Sequence, residues 1–217
     1  MLRVLHLADL HLGWVPAYME EPRRSERRRR RDDLLRRAVE FALDPTKRIG
    51  MVVIVGDLFE SHRPDRALVG SVLESLWRLE QAGVRVVTVP GNHDEITYAD
   101  SVYRDRAREW PGVLVQNPVP GHVVTLSVSG ISVHVYSLAY TGGLTPTGPP
   151  IAHFPRLDEP GFHLAAFHGT LGDWGGDRSL PLDRDALGRA GYDYVALGHI
   201  HRHEEHDLGG TPAVYCG

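Results

Sequence analysis

At 217 residues and a formal net charge of −4, the chain is long enough for one sizeable α/β domain and too short for two comfortable ones. No apolar run approaches the roughly 18 residues of a membrane span, and Asp9 interrupts the only apolar stretch near the N-terminus, which argues against a signal peptide and for a cytoplasmic protein. The charge balance excludes a wholly basic nucleic-acid-binding surface, so any polyanion site must be local, and the single cysteine, Cys216, excludes an internal disulfide framework.

The first apolar run, "LRVLHLA" (2–8), is too short for a helix and is expected to be a buried strand; it breaks off at Asp9 and His11. Residues 25–43 carry Leu34, Leu35, Ala38, Val39 and Ala42 at helical spacing, with Ser25 as the expected N-cap and Pro45 closing the helix. "MVVIV" (51–55) is a second buried strand that runs into Gly56-Asp57. A helix is expected from about Pro64, in its first turn, to Ala82. "VRVVTV" (84–89) is the third strand and leads into Pro90-Gly91-Asn92-His93-Asp94. Strands alternating with helices predict parallel pairing through right-handed crossovers.

The second half reads differently. "HVVTLSV" and "ISVHVYSL" flank Ser129-Gly130 as a hairpin, and a Gly/Pro-rich loop covers 141–150. "FHLAAF" (162–167) leads to His168-Gly169, and "YDYVAL" (192–197) leads to Gly198-His199-Ile200-His201. "EEHDLGGTPAVYCG" is read as a last hairpin with Gly209-Gly210 at its turn.

Five expected strands thus each end in a loop that opens with a polar or metal-ligand type of residue, and in open α/β sheets sites form at the carboxyl ends of strands. Asp9, His11, Asp57, Asn92, His168, His199 and His201 offer two carboxylates, four imidazoles and one amide. That set suits two divalent ions sharing one carboxylate, an arrangement fitted to in-line displacement at phosphorus. Mixed nitrogen and oxygen ligands without thiolate favour Mn, Fe, Zn or Co over a structural zinc cage. Glycines 56, 91, 169 and 198 allow the sharp turns that bring short side chains to one point. Each element alone is an ordinary turn or surface pair; it is the ordered set, each member behind a strand, that points to a metal centre.

The ordered text "DLH … GD … GNHD … HG … GHIH", at 9–11, 56–57, 91–94, 168–169 and 198–201, resembles the calcineurin-like metallophosphoesterase superfamily over nearly the whole chain. The resemblance implies an α/β fold, a four-layer α/β/β/α sandwich with two mixed β-sheets. It implies that Asp9, His11, Asp57 and His201 hold one metal and that Asp57, Asn92, His168 and His199 hold the other. His93 would face the scissile phosphate as a catalytic residue, with Asp94 holding its ring; no further cofactor is expected.

Within the superfamily, "LHLADLHLG" and "VGDLFESHRP" look like the meiotic-recombination-eleven/SbcD-type DNA repair nucleases, whereas phosphoprotein phosphatases usually carry Gly-Asn-His-Glu and an Asp-Arg-Gly. Glu60 stands where archaeal and eukaryotic members often place a histidine, and where bacterial relatives commonly have an acid. The likeness implies Mn-dependent DNA cleavage, a possible homodimer, and an SMC-like ATPase of the SbcC type as partner of the full-length protein. Such proteins continue past a "YxGS"-like strand, which "VYCG" (214–217) matches, so residues 1–217 are expected to be the catalytic domain without the capping and ATPase-binding parts. The rivals are a small-molecule phosphodiesterase or phosphatase of the same superfamily, and a non-catalytic scaffold, a reading that the intact ligand set and His93 disfavour.

Among the remaining residues, the arginines at 23, 24 and 27–31 either bind phosphates beside the cleft or form a solvated helix face paired with Glu20, Glu21, Glu26, Asp32 and Asp33. Basic charge is otherwise arginine with Lys47 the only lysine, a bias best read as nucleotide composition. His6 and His134 are expected on strands as satisfied sheet residues, His62 in a loop, His203 and His206 towards solvent, and Trp14 and Trp174 in packing rather than stacked on bases.

Overall fold

The computed structural model describes residues 1–141, 150–172 and 179–217. In chain order the elements are β1 (Val4–Leu7), α1 (Arg23–Leu43), β2 (Met51–Val55), α2 (Arg66–Gln81), β3 (Arg85–Val89), the single turn α3 (Val102–Asp105), β4 (Val113–Leu114), β5 (Gly121–Val128) and β6 (Ile131–Ser137). They continue with β7 (Phe162–His168), β8 (Thr170–Leu171), β9 (Pro181–Leu182), α4 (Arg184–Arg189), β10 (Tyr194–Gly198), β11 (Glu204–Asp207) and β12 (Pro212–Tyr215).

Two sheets carry the molecule. The first has the order β1-β2-β3-β4 and is parallel throughout, whereas the expectation was of two mixed sheets. The second, β11-β12-β10-β7-β6-β5, is mixed: its two hairpins are antiparallel, and β6, β7, β10 and β12 run parallel to one another. A two-stranded parallel ribbon, β8-β9, lies outside both.

Why β2 shows no polar alternation follows from its neighbours. Val52 and Ile54 face the α1–α2 layer beside Leu35, Val39, Leu76 and Leu79, while Met51, Val53 and Val55 face the second sheet. A strand buried on both faces is apolar at every position. The second sheet does the same. Leu164, Ala166 and Ala196 turn inward to the first sheet, and Ala165, Phe167, Val195 and Leu197 turn outward to the layer that contains Leu187 of α4. Helices, sheet, sheet and helix-bearing layer give the four-layer α/β/β/α sandwich.

Two helix starts differ from expectation. α1 begins at Arg23 behind Pro22, whose φ of −87° already suits a helix, so Ser25 lies inside the first turn and its hydroxyl donates to Glu21 Oε2 at 2.6 Å. α2 is capped by Asp65, whose carboxylate accepts from the amides of Ala67 and Leu68, leaving Pro64 outside the helix. Both hairpin turns form where expected, with left-handed φ at Ser129, Gly130, Gly209 and Gly210. The Gly/Pro-rich stretch falls largely on residues 142–149, which like Trp174 lie outside the described residues.

Candidate metal centre

The carboxyl ends of β1, β2, β3, β7 and β10 meet at one place, and the backbone there is unusual before any side chain is considered. Among the described residues, six non-glycine positions have positive φ, and four of them are Asp9, His11, Asp57 and His199. Left-handed backbone costs a β-carbon-bearing residue roughly 1–3 kcal/mol and persists only where the surroundings over-determine it. Here pairing does that. Beyond β1 and β2 the two chains stay hydrogen-bonded, Asp9 N to Gly56 O (3.1 Å), His11 N to Asp57 O (2.9 Å), Leu12 N to Leu58 O (2.9 Å) and Glu60 N to Leu12 O (3.0 Å). Two irregular loops are thereby held as an extension of the sheet.

Glycine is required beside them. A β-carbon on Gly91 would collide with the Asp57 carboxylate and amide, and one on Gly56, at φ +78°, would overlap the His168 ring.

All seven expected ligand residues converge. His11 Nε2 lies 3.0 Å from His201 Nε2 and 3.6 Å from Asp57 Oδ2, and His201 Nε2 lies 3.6 Å from Asp9 Oδ1. On the other side, His168 Nε2 and His199 Nδ1 each lie 2.9 Å from Asn92 Oδ1, and His168 Nε2 is 3.5 Å from Asp57 Oδ2. Asp57 Oδ2 thus stands between two groups of donors. Its other oxygen accepts the His93 amide at 2.9 Å, and both oxygens of Asp9 accept the His199 amide.

The direction of the protons says what fits there. His168 Nδ1 donates to the Val55 carbonyl at 3.0 Å, so in the neutral ring its Nε2 meets Asn92 Oδ1 and Asp57 Oδ2 as a lone pair facing lone pairs. His11 Nδ1 donates to Glu60 Oε2 at 2.8 Å, leaving its Nε2 bare towards His201. Converging lone pairs of nitrogen and carboxylate oxygen are a donor set for divalent cations, so the residues fit the metal pair that the motifs imply. The carboxylates here draw positive charge to this point, either as a second proton on His168 or as a cation in its place. Burial pulls the His168 imidazole down, but the carboxylates of Asp57 and Asp9 outweigh it and raise it to about 9. Burial opposes ionisation of Asp57 too, yet the neighbouring His168 holds its carboxyl well below the usual range. His11 and His199 are lowered to about 4, in both cases chiefly by burial, and are neutral at neutral pH.

His93 lies at the rim, with its side chain 35% exposed and its ring 4.6 Å from that of His11. Its Nδ1 donates to the Glu60 carbonyl at 3.2 Å, which leaves Nε2 for whatever enters the cleft. Asp94 does not hold that ring. Its fully buried carboxylate accepts from Gly91 N (2.7 Å), Phe59 N (3.1 Å) and the Tyr103 hydroxyl (2.7 Å), so both oxygens are spent on the loops. Burial, then the nearby Asp57, raises it to about 6.

Two residues to which the sequence assigned no settled role at the centre contribute to it. Glu60 touches both His11 and His93, and its place three residues after Asp57, on the segment paired with Leu12, is the signal that could have found it. Arg31, the last of the arginine run, sits 4.8 Å above the Trp14 ring; burial raises the carboxyl of Glu60, and Arg31 is among the charges that oppose the rise. Elsewhere in the run Arg30 pairs with Glu26 (2.5 Å) and Arg28 with Asp32 (3.5 Å), so part of it is a paired helix face.

The other histidines singled out in the sequence lie in local contacts, but His6 is not fully satisfied as expected, because its buried Nε2 has no hydrogen-bond partner among the described residues. His134 joins Thr125 and the Pro160 carbonyl, His6 faces Tyr194, His62 stacks on Tyr98, and His206 lies against Glu204 and Tyr215. His203 is exposed.

Comparison with known proteins gives the family. The chain is 25% identical over its whole length to the "Uncharacterized metallophosphoesterase YhaO" of Bacillus subtilis, covering 52% of that protein. It is 27% identical, again over its whole length, to the "DNA double-strand break repair protein Mre11" of Methanopyrus kandleri, covering 48% of it. It is 25% identical to a component of the nuclease SbcCD of Escherichia coli K12, covering 60% of that component. The chain therefore spans about half the length of the curated relatives it matches. Residues 2–203 match the sequence profile described as "Calcineurin-like phosphoesterase", and the chain belongs to that family.

Proposed function

We propose that this chain is the catalytic part of a two-cation phosphodiesterase that hydrolyses DNA phosphodiester bonds. The observation that carries the chemistry is Asp57 Oδ2, set 3.6 Å from His11 Nε2 and 3.5 Å from His168 Nε2, with His93 beside it on the cleft rim. Asp9, His11, Asp57 and His201 would hold one cation and Asp57, Asn92, His168 and His199 the other. Manganese is the first ion to test. Bound divalent cations supply charge neutralisation of the phosphate and acidify the attacking water.

The chain's own groups do the rest. Asp57 links the two ligand groups to the His93 amide, so the loop that carries the rim histidine is tied to the carboxylate between them. His93, with Nδ1 committed to the Glu60 carbonyl, presents Nε2 to the phosphate, where in its doubly protonated form it would stabilise the developing charge or give its Nε2 proton to the leaving oxygen.

For DNA as substrate the support is the "LHLADLHLG" and "GDLFES" text, which resembles the SbcD-type nucleases, and the names of two relatives, a break-repair protein and a nuclease component. On the same resemblance the whole protein would pair with an SbcC-type SMC-like ATPase and act in the cytoplasm, as a homodimer. Among the described residues no helix is long and apolar enough to cross a membrane.

The test is manganese-dependent cleavage of end-labelled single- and double-stranded DNA, with His93→Ala as control and bis-p-nitrophenyl phosphate alongside. DNA degradation lost in the variant is the expected result, and the product ladder gives the polarity. Hydrolysis of the small diester without DNA cleavage, by the full-length protein, would overturn the DNA assignment and leave a small-molecule phosphodiesterase.

A further inference from the structure

The side chain and the backbone of Glu60 reach different members of the centre. Its Oε2 accepts from His11 Nδ1 at 2.8 Å, its carbonyl accepts from His93 Nδ1 at 3.2 Å, and its Oε1 stands 3.8 Å from that same His93 nitrogen. Its backbone is fixed in turn, because its amide donates to the Leu12 carbonyl at 3.0 Å in the ladder that prolongs β1 and β2. The carboxylate is two-thirds buried, with its side chain 33% exposed, and it lies over a His11 ring that is 4% exposed.

We propose that Glu60 is a positioning residue for the metal centre: its carboxylate holds the Nδ1 proton of His11 and thereby fixes the tautomer whose bare Nε2 points at Asp57 and His201. A free neutral imidazole has two nitrogens that compete for one proton, and only one of the two tautomers leaves a lone pair towards the ligand group. A carboxylate behind the ring selects that tautomer, fixes the ring plane and makes the ligand nitrogen more basic. No other side chain with a hydrogen bond to His11 Nδ1 is found among the described residues, so the selection falls to Glu60 alone. The second nitrogen group is arranged without Glu60. His168 is oriented by the Val55 carbonyl, and His199 is held by its amide on Asp9. The effect should therefore fall on one cation of the pair, that of Asp9, His11, Asp57 and His201. Because the His93 contact is made by the Glu60 backbone, replacing the side chain leaves that hydrogen bond in place.

This inference rests on the two-cation reading, and its test separates the two. Manganese binding is measured by calorimetry on the wild-type chain and on Glu60→Ala and Glu60→Gln, with folding checked by thermal melting in chelator. The histidine 15N shifts of the metal-free proteins are recorded in parallel. Outer-shell partners of metal-bound histidine typically account for about 10–100-fold in affinity. The expected result is a loss of that size at one site in Glu60→Ala, with the other site unchanged. Glu60→Gln, whose amide oxygen still accepts from Nδ1, recovers most of the loss. In the metal-free wild type and Glu60→Gln, His11 carries its proton on Nδ1; in Glu60→Ala it moves to Nε2. Equal affinity in all three proteins, equal loss in both variants, or an unchanged His11 tautomer in Glu60→Ala would each overturn the inference. A wild-type chain that binds no manganese would instead remove the two-cation reading, and the tautomer shifts would still decide the role of Glu60 on His11.

Discussion

The Tyr103 hydroxyl donates to Asp94 Oδ2 at 2.7 Å, between two side chains with no solvent exposure. Asp94 also takes the amides of Gly91 and Phe59, so a single carboxylate laces the loop carrying Asn92 and His93 to the loop carrying Asp57 and Glu60. Removing the hydroxyl while keeping the ring isolates this role, because Tyr103→Phe retains the packing against Phe59 and Trp110. Tyr103→Phe should destabilise the metal-free protein by about 1–3 kcal/mol, as for a buried hydrogen bond to a charged group. Asp94→Ala should cost more, since it strands three donors. Urea denaturation measures both, and a neutral Tyr103→Phe would mean that the two amides alone satisfy the carboxylate.

The same carboxylate marks how far the sequence could be read. Strand ends were legible because β2, β3, β7 and β10 are buried on both faces and stop at polar residues, so the seven candidate ligand residues could be placed at loop starts from the pattern alone. Asp94 was not. Adjacent to His93 in sequence, it turns away to a tyrosine nine residues later, on the one-turn helix α3 that no apolar period marks. The short β4 and the β8-β9 ribbon escaped for a similar reason, being two-residue strands defined by partners rather than by pattern. The helix starts at Pro22 and Asp65 turned on local competition for caps, which composition does not rank.

Asp57 and Asn92 should separate when manganese binding is titrated. Asp57 Oδ2 faces both His11 and His168, whereas Asn92 Oδ1 faces only His168 and His199. Asp57→Ala should weaken both sites by more than about 100-fold, beyond what outer-shell changes cause. Asn92→Ala should weaken one site only. Calorimetric stoichiometry is the measurement, and two sites of unchanged affinity in Asp57→Ala would remove it from between the ions.

Arg31 and Arg30 are neighbours in the same run with different surroundings. Arg31 lies on Trp14 beside the cleft, and Arg30 is paired with Glu26 on the helix face. If DNA phosphates run past Glu60 and His93, Arg31→Gln should make the dependence of log affinity on log salt shallower by about 0.7–0.9, the value of one phosphate contact. Arg30→Gln should leave the slope unchanged. Anisotropy of labelled DNA across a salt series measures both, and two unchanged slopes would make the whole run a solvated helix face.

Below neutral pH, His6 should set part of the acid limit of the metal-free protein. Burial beneath the second sheet holds its imidazole down to about 4, against an ordinary value of 6.5. Above pH 6.5 the ring is neutral whether the chain is folded or not, and it contributes no pH dependence. As the pH falls from 6.5 towards 4 the unfolded chain takes up a proton that the folded one refuses, so stability is lost across that window, by up to about 3 kcal/mol. His163, also lowered by burial, adds to the loss in the same direction. His6→Met removes one titrating group from a strand position facing Tyr194 and keeps an apolar side chain of similar length. Urea unfolding in chelator at a series of pH values should therefore give a shallower fall for the variant than for the wild type between pH 6.5 and 4. Parallel curves would mean that the folded protein admits the proton at His6.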